Sequence, residues 1–217
     1  MVRVVLGALV ALASATEARA EEWETVATAP VLIKARSVPN SSVKEIWAQG
    51  EMSAPVQDVQ ATLLDVERFR EFMPYVKESR VIGNPRADGA HYVYTRLEFG
   101  PWVSSRDYVV KVEVERSVAP DGSGEFRNRW VAEPDRIPSR ANAVRLRINE
   151  GSWHVASRGP NKSFAVYRFV VDPGGWIPAF AANAGNKQGV TDTFKAVERE
   201  AERRADVRRK QNESARR

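Results

Sequence analysis

The sequence contains no cysteine, only two histidines and three methionines. Lack of cysteine excludes disulfides, thiolate zinc sites, iron–sulfur ligation, a cysteine nucleophile and a lipid-modified cysteine anchor. The histidines, His91 and His154, stand far apart without ligand-spaced partners, so both read as surface residues and no metal or cofactor is expected. G-x-S-x-G, H-E-x-x-H and a glycine-rich phosphate loop are all missing. Carboxylates are plentiful, but no pair is brought into one cleft by spacing alone. The longest largely apolar stretch, Val4 to Ala15, is well short of the roughly 20 residues a membrane helix needs.

That stretch follows Arg3 and precedes Ala18-Arg19-Ala20. A basic start, a short apolar run and an A-x-A site read as an export signal. The expected mature chain begins at Glu21 and resides in the periplasm or outside the cell. The length of 217 residues and 43% hydrophobic content suit one domain with its own core.

The net charge of +5 is unevenly placed. Without Arg3, Glu17 and Arg19 the chain holds 31 basic and 27 acidic residues, and 195–217 holds nine basic and five acidic ones. Residues 21–194 are therefore neutral, with 22 of each sign. This argues against nucleic acid as a partner. The mixed-sign tail reads as a solvated helix end, or else as an electrostatic contact with anionic membrane. The expected organisation is a signal peptide over 1–20, a domain over 21–202 and a basic tail over 203–217.

Periodicity supplies the fold class. Strand-like runs cover Val31–Val38, Val43–Met52 and Tyr75–Gly83. Between the second and third, Ser53-Ala54-Pro55 offers an N-cap and an early proline. Val56, Val59, Leu63, Val66 and Phe69 then form a helical stripe that breaks near Asp65 and ends at Pro74. From His91 the period becomes two. Tyr108, Val110, Val112 and Val114 alternate with charged residues, as do Phe126, Asn128 and Trp130, then Val144, Leu146 and Ile148, then Trp153 and Val155, then Tyr167, Phe169 and Val171. Asp88-Gly89, Asp121-Gly122-Ser123-Gly124 and Gly159-Pro160-Asn161 mark the turns. This pattern predicts an antiparallel meander with one dry face. After Gly175 a helical stripe returns through Phe180, Asn183, Ala184, Lys187, Val190, Phe194, Val197 and Ala201. The predicted class is α+β: a curved antiparallel sheet whose dry face is covered by one long C-terminal helix, with an apolar space between them.

Several segments in order resemble a known family. They are Met52-Ser53-Ala54-Pro55, Leu64-Asp65-Val66-Glu67 with Phe72-Met73-Pro74, and Lys77-Glu78-Ser79-Arg80-Val81. Trp102-Val103-Ser104-Ser105-Arg106-Asp107-Tyr108, Gly151-Ser152-Trp153, Asp172-Pro173-Gly174-Gly175 and Ile177-Pro178-Ala179-Phe180 complete the set. Over about residues 25–200 the chain resembles a bacterial START domain, the lipid-transfer family related to steroidogenic acute regulatory protein. The resemblance implies a helix-grip fold with an internal tunnel that shields one hydrophobic molecule from water. Some sterol-binding members place a charge on the strand after the Arg-Asp-aromatic element. Here the inward positions of that strand are Val110, Val112 and Val114, so the ligand's identity does not carry over.

The expected ligand-binding residues are Trp102, Tyr108, Val110, Val112, Phe126, Asn128, Trp130, Leu146, Trp153, Tyr167, Phe169, Phe180 and Ala184. Bulky aromatics opposite small helix residues leave room rather than fill it. Asn128 reads either as a head-group contact or as a backbone bond at a bulge. Trp102 reads either as a cover over the tunnel mouth or as core. Arg106 and Asp107 face opposite ways and read as ties to neighbouring loops or strands. The loops Gly100–Ser105 and Pro173–Pro178 are expected to flank an entrance, where Trp176, Ile177 and Phe180 would form an apolar rim for transient membrane contact. The expected activity is binding, and possible transfer, of a lipid or similar molecule by a monomer without catalysis. The competing reading is a cyclase or aromatase working in the same cavity, which needs an internal acid or base.

Overall fold

Alternating side chains build most of the molecule. The structure, a computed structural model, describes residues 22–84, 89–175 and 179–215, with side chains throughout except over 179–186. The proposed export signal, Trp176 and Ile177 lie outside the described residues, as do the side chains of Phe180 and Ala184.

The elements run β1 (Glu24–Ala27), β2 (Leu32–Ser37), β3 (Lys44–Met52), α1 (Val56–Leu64), a 3-10 turn (Val66–Arg68) and α2 (Phe69–Phe72). They continue with β4 (Val76–Ile82), β5 (His91–Leu97), β6 (Ser105–Arg116), β7 (Glu125–Ala132), β8 (Ala143–Arg145), β9 (Asn149–Ser157), β10 (Ser163–Val171) and α3 (Ala179–Ser214). One curved sheet has the order β1-β2-β3-β10-β9-β7-β6-β5-β4, all antiparallel, with β8 added parallel to β6. The helix-grip architecture expected from the sequence is the one observed.

Helix α3 leaves the Val171 end of β10 and returns across the sheet. Its buried stripe is Val190, Phe194, Val197, Ala201 and Ala205, whereas Lys187, expected on that stripe, is exposed. Phe194 packs against Gly50 and Trp153, where a glycine in β3 lets the ring come close: a Cβ there would sit 3.6 Å from it. Together with Val56, Val59 and Leu63 of α1, Phe126, Val155 and Ala165, these residues form the main core.

Three expectations are corrected. Ser53 does not cap α1: Pro55 occupies the cap position without a side-chain bond, and the Ser53 N–H donates to Glu198 of α3 (3.0 Å). Val144–Ile148 is not one alternating strand: β8 stops at Arg145, and Ile148 is exposed. Arg145, expected on the wet face, is buried because it pairs with Asp107. Helix α3 continues to Ser214, where Arg204 bonds Asp65 (2.6 Å) and Arg208 bonds Asp58 (2.7 Å).

Candidate ligand site

The strand register brings the inward residues into rows. Ser79, Thr95 and Tyr108 are direct neighbours across β4, β5 and β6, with Val81, Val93 and Val110 beside them. Val112, Trp130, Gly151 and Phe169 form a second row across β6, β7, β9 and β10. Val114, Asn128, Trp153 and Tyr167 form a third. None of these residues carries a charge. Gly151 is required here, because a Cβ at that position would lie 2.5 Å from the Trp130 indole and 2.4 Å from the Arg168 carbonyl. Without that Cβ the indole lies over β9 and donates from Nε1 to Asn149 Oδ1 (3.0 Å).

The sequence-expected residues divide by packing. Phe126, Val110, Val112, Leu146 and Trp153 are buried. Tyr108, Trp130, Tyr167 and Phe169 are only half-buried. Tyr167 stacks on the buried Trp153 (4.2 Å between centroids) and meets Phe169 (4.7 Å) and Trp130 (6.1 Å), so Tyr167, Phe169 and Trp130 form one half-buried surface. Burial pushes the Tyr167 phenol far up, and nearby Tyr108 adds to the effect. Burial also raises Tyr108, against the opposing pull of the Thr95 hydroxyl. Both phenols are thus desolvated although their rings keep some accessible surface. Val190, Phe194, Val197 and the α1 residues pack one end of the sheet closed.

Polar groups in this region are largely neutral and partnered. Asn128 Oδ1 accepts the Trp153 N–H (3.2 Å) from the residue directly opposite it, in a regular register without a bulge. Ser79 and Thr95 share a hydroxyl bond (3.3 Å). His154 pairs with Glu125 on the outer face (2.7 Å), as the surface reading requires. His91 shares the inward phase of Val93 but stands half-exposed at the start of β5. Among the described residues no cluster suited to a metal ion occurs.

Arg106 and Asp107 are the ties their spacing suggested. Arg106, 2% exposed, donates from Nε to the Pro173 carbonyl (3.3 Å), from Nη2 to the Gly174 carbonyl (3.2 Å) and from Nη1 to the Ser104 carbonyl. One buried guanidinium thereby joins the β5–β6 loop to the β10–α3 loop, the two segments expected to flank an entrance. On the opposite face Asp107 receives both arms of Arg145 (2.8 and 3.0 Å) and the Tyr94 hydroxyl (3.3 Å). Trp102 does not fill core: it projects from the β5–β6 loop at 85% exposure. Sequence reasoning missed Thr95 and the Arg145 pairing. Thr95 was findable by counting in twos from Val93, but Arg145 was not, because β8 joins the sheet out of chain order.

Comparison with known proteins agrees with this geometry. Residues 52–198 match the family described as polyketide cyclase/dehydrase and lipid transport. A STAR-related lipid transfer protein from Xanthomonas axonopodis is similar in structure, with a TM-score of 0.70 and 28% identity, over 83% of this chain and 98% of that one. Human STARD10 shares the fold with a TM-score of 0.73 at 18% identity, over 87% and 76% of the two chains. An uncharacterised protein of Pseudomonas aeruginosa is 26% identical over 192 residues, covering 88% of this chain and 92% of the relative. The rows, the covering helix and the matched residues lead to one conclusion: the chain belongs to the polyketide cyclase/dehydrase and lipid transport family and has its START-like helix-grip fold.

Proposed function

We propose that this protein is an exported carrier that holds one lipid or similar hydrophobic molecule between the sheet and α3 and does no chemistry on it. The observation carrying the proposal is the run of half-buried rings on the inner sheet face, Tyr167 with Phe169 and Trp130 and, in the neighbouring row, Tyr108. Each ligand methylene withdrawn there from water contributes about 0.8 kcal/mol, so a long chain binds without any charged anchor. Mass spectrometry of the purified protein should recover a co-purified apolar molecule in near-stoichiometric amount. A protein that repeatedly emerges empty and takes up no lipid from vesicles would sink the reading. N-terminal sequencing of the secreted or periplasmic form should start at Glu21.

Membrane contact belongs to the same proposal. Trp102, at 85% exposure, projects from the loop held by Arg106, and the exposed Phe99–Tyr75 ring pair (5.0 Å) flanks the same loop. Such a tip suits brief insertion among lipid head groups during exchange. Trp102→Ala should slow lipid uptake from vesicles several-fold.

The cyclase reading has the family description in its favour. It requires an internal acid or base; the inward rows offer the phenols of Tyr108 and Tyr167, which burial keeps protonated, and His91 stands half-exposed at the edge of one row.

A further inference from the structure

We infer that Arg80, Arg96 and Arg140, gathered around Glu78 on the outer face of the sheet, form a binding site for a doubly charged phosphate group. The inference is independent of the carrier reading, because the cluster and the inward rows lie on opposite sides of the sheet.

Register sets Glu78, Arg96, Asp107 and Arg145 side by side across β4, β5, β6 and β8. Their neighbours Ser79, Thr95 and Tyr108 point inward, so this row points outward. Asp107 is taken by Arg145 and the Tyr94 hydroxyl. Glu78 is left to three guanidinium groups. Arg140 Nη2 donates to both of its oxygens (3.1 and 2.9 Å), Arg80 Nε donates to Oε1 (3.4 Å), and Arg96 Nε stands 3.9 Å from Oε2. Arg80 and Arg140 also lie against one ring, 5.0 and 5.4 Å from the Tyr94 centroid. Arg140 comes from the β7–β8 loop, which Arg145 pins by donating to the Pro134, Ile137 and Pro138 carbonyls. A strand and an anchored loop therefore present two guanidinium forks to the same place.

Two observations point to an anion as the ligand. Arg96 Nε is buried and has no hydrogen-bond partner among the described residues. Buried donors are rarely left so. Among the described residues, Lys77, Arg80, Arg96 and Arg140 share only Glu78 and Glu98, which leaves two positive charges in excess. A phosphate monoester carries about two negative charges at pH 8, and guanidinium forks match its oxygens in pairs. The Arg80 and Arg140 side chains are 47% and 45% exposed. Exposed ion pairs of this kind contribute little, so both arginines can turn from Glu78 to an incoming phosphate. The released Glu78 carboxylate is then free to accept from Arg96 Nε, and binding gives the orphan donor its partner.

The test titrates the purified protein with inorganic phosphate in a calorimeter at pH 8 and fixed ionic strength, with acetate as the singly charged control. Phosphate should bind at one site, about tenfold tighter than acetate. Arg80→Gln and Arg140→Gln should each weaken it about fivefold or more, with near-ultraviolet circular dichroism reporting that both variants are folded. Glu78→Gln removes the internal competitor and should tighten it severalfold. Arg127→Gln removes the same charge from another part of the outer face and should change little. Vesicles of phosphatidylcholine with and without phosphatidic acid separate the sources of the phosphate. Retention on phosphatidic acid vesicles that inorganic phosphate reverses supports the site with a lipid head group as ligand. Phosphate binding without such retention supports it with a soluble phosphate. Absence of saturable phosphate binding overturns the inference, as does unchanged affinity in folded Arg80→Gln and Arg140→Gln or weaker binding by Glu78→Gln. None of these results bears on lipid uptake, which tests the carrier reading separately.

Discussion

At the scale of single residues, the molecule uses charge for construction. Asp107 is inaccessible to solvent and depends on Arg145, whose side chain is 5% exposed. Removing one partner of such a pair strands the other. Asp107→Ala should therefore cost about 3–5 kcal/mol in urea unfolding. Gly151 acts by absence: Gly151→Ala would force its Cβ into the Trp130 indole and the Arg168 carbonyl. The cost should be about 1–3 kcal/mol, together with a shifted Trp fluorescence spectrum. Asn128 illustrates the limit of local reading. Phase predicted that it faces inward, but its partner exists only once another strand is placed opposite.

At the scale of elements, α3 is held by an apolar stripe and by carboxylates at its edges. Phe194→Ala should cost about 3–5 kcal/mol, because the ring packs between Trp153 and the space above Gly50. Glu200 is buried and bonds Arg203 (2.7 Å) and Arg204 (2.9 Å), the second of which reaches Asp65. The Arg203 bond is the main cause that holds the Glu200 carboxyl below its ordinary value. On the outer sheet face burial raises Glu45, but bonds from Arg168 and Arg36 outweigh it and leave that carboxyl lowered too. A carboxyl lowered in the folded state stabilises fully above its unfolded value and loses that contribution as pH falls through the folded one. Stability should thus hold from pH 7 to about pH 5 and decline below, with Glu200→Gln showing a shallower acid limb in denaturation at several pH values. The C-terminal segment belongs to this element. Deleting 203–217 would leave Asp58, at 4% exposure, without Arg208 and should cost about 3 kcal/mol, which a free tail would not.

At the scale of the whole molecule, ligand and stability are linked. A ligand that binds only the folded protein adds about 2.7 kcal/mol at a hundredfold excess over Kd. For a chain of this length that is a rise in Tm of about 5–10 °C, measurable by calorimetry on delipidated and lipid-loaded protein. The order of elements, the inward phase of the aromatics and the neutrality of the body were all legible in the sequence, because side-chain period and charge are properties of neighbouring residues. So were the roles of Arg106 and Asp107 as ties, since adjacent strand residues must face opposite ways. Which aromatics fill core and which border open space was decided only by tertiary structure: Phe126 and Tyr167 have the same strand phase, yet α1 and Phe194 close over the first and leave the second half-bare. The basic segment's partners were decided there as well. Asp58 and Asp65 lie 150 and 139 residues from the arginines that hold them, and pairing across that distance follows from the packing of two helices, which no local pattern in the chain encodes.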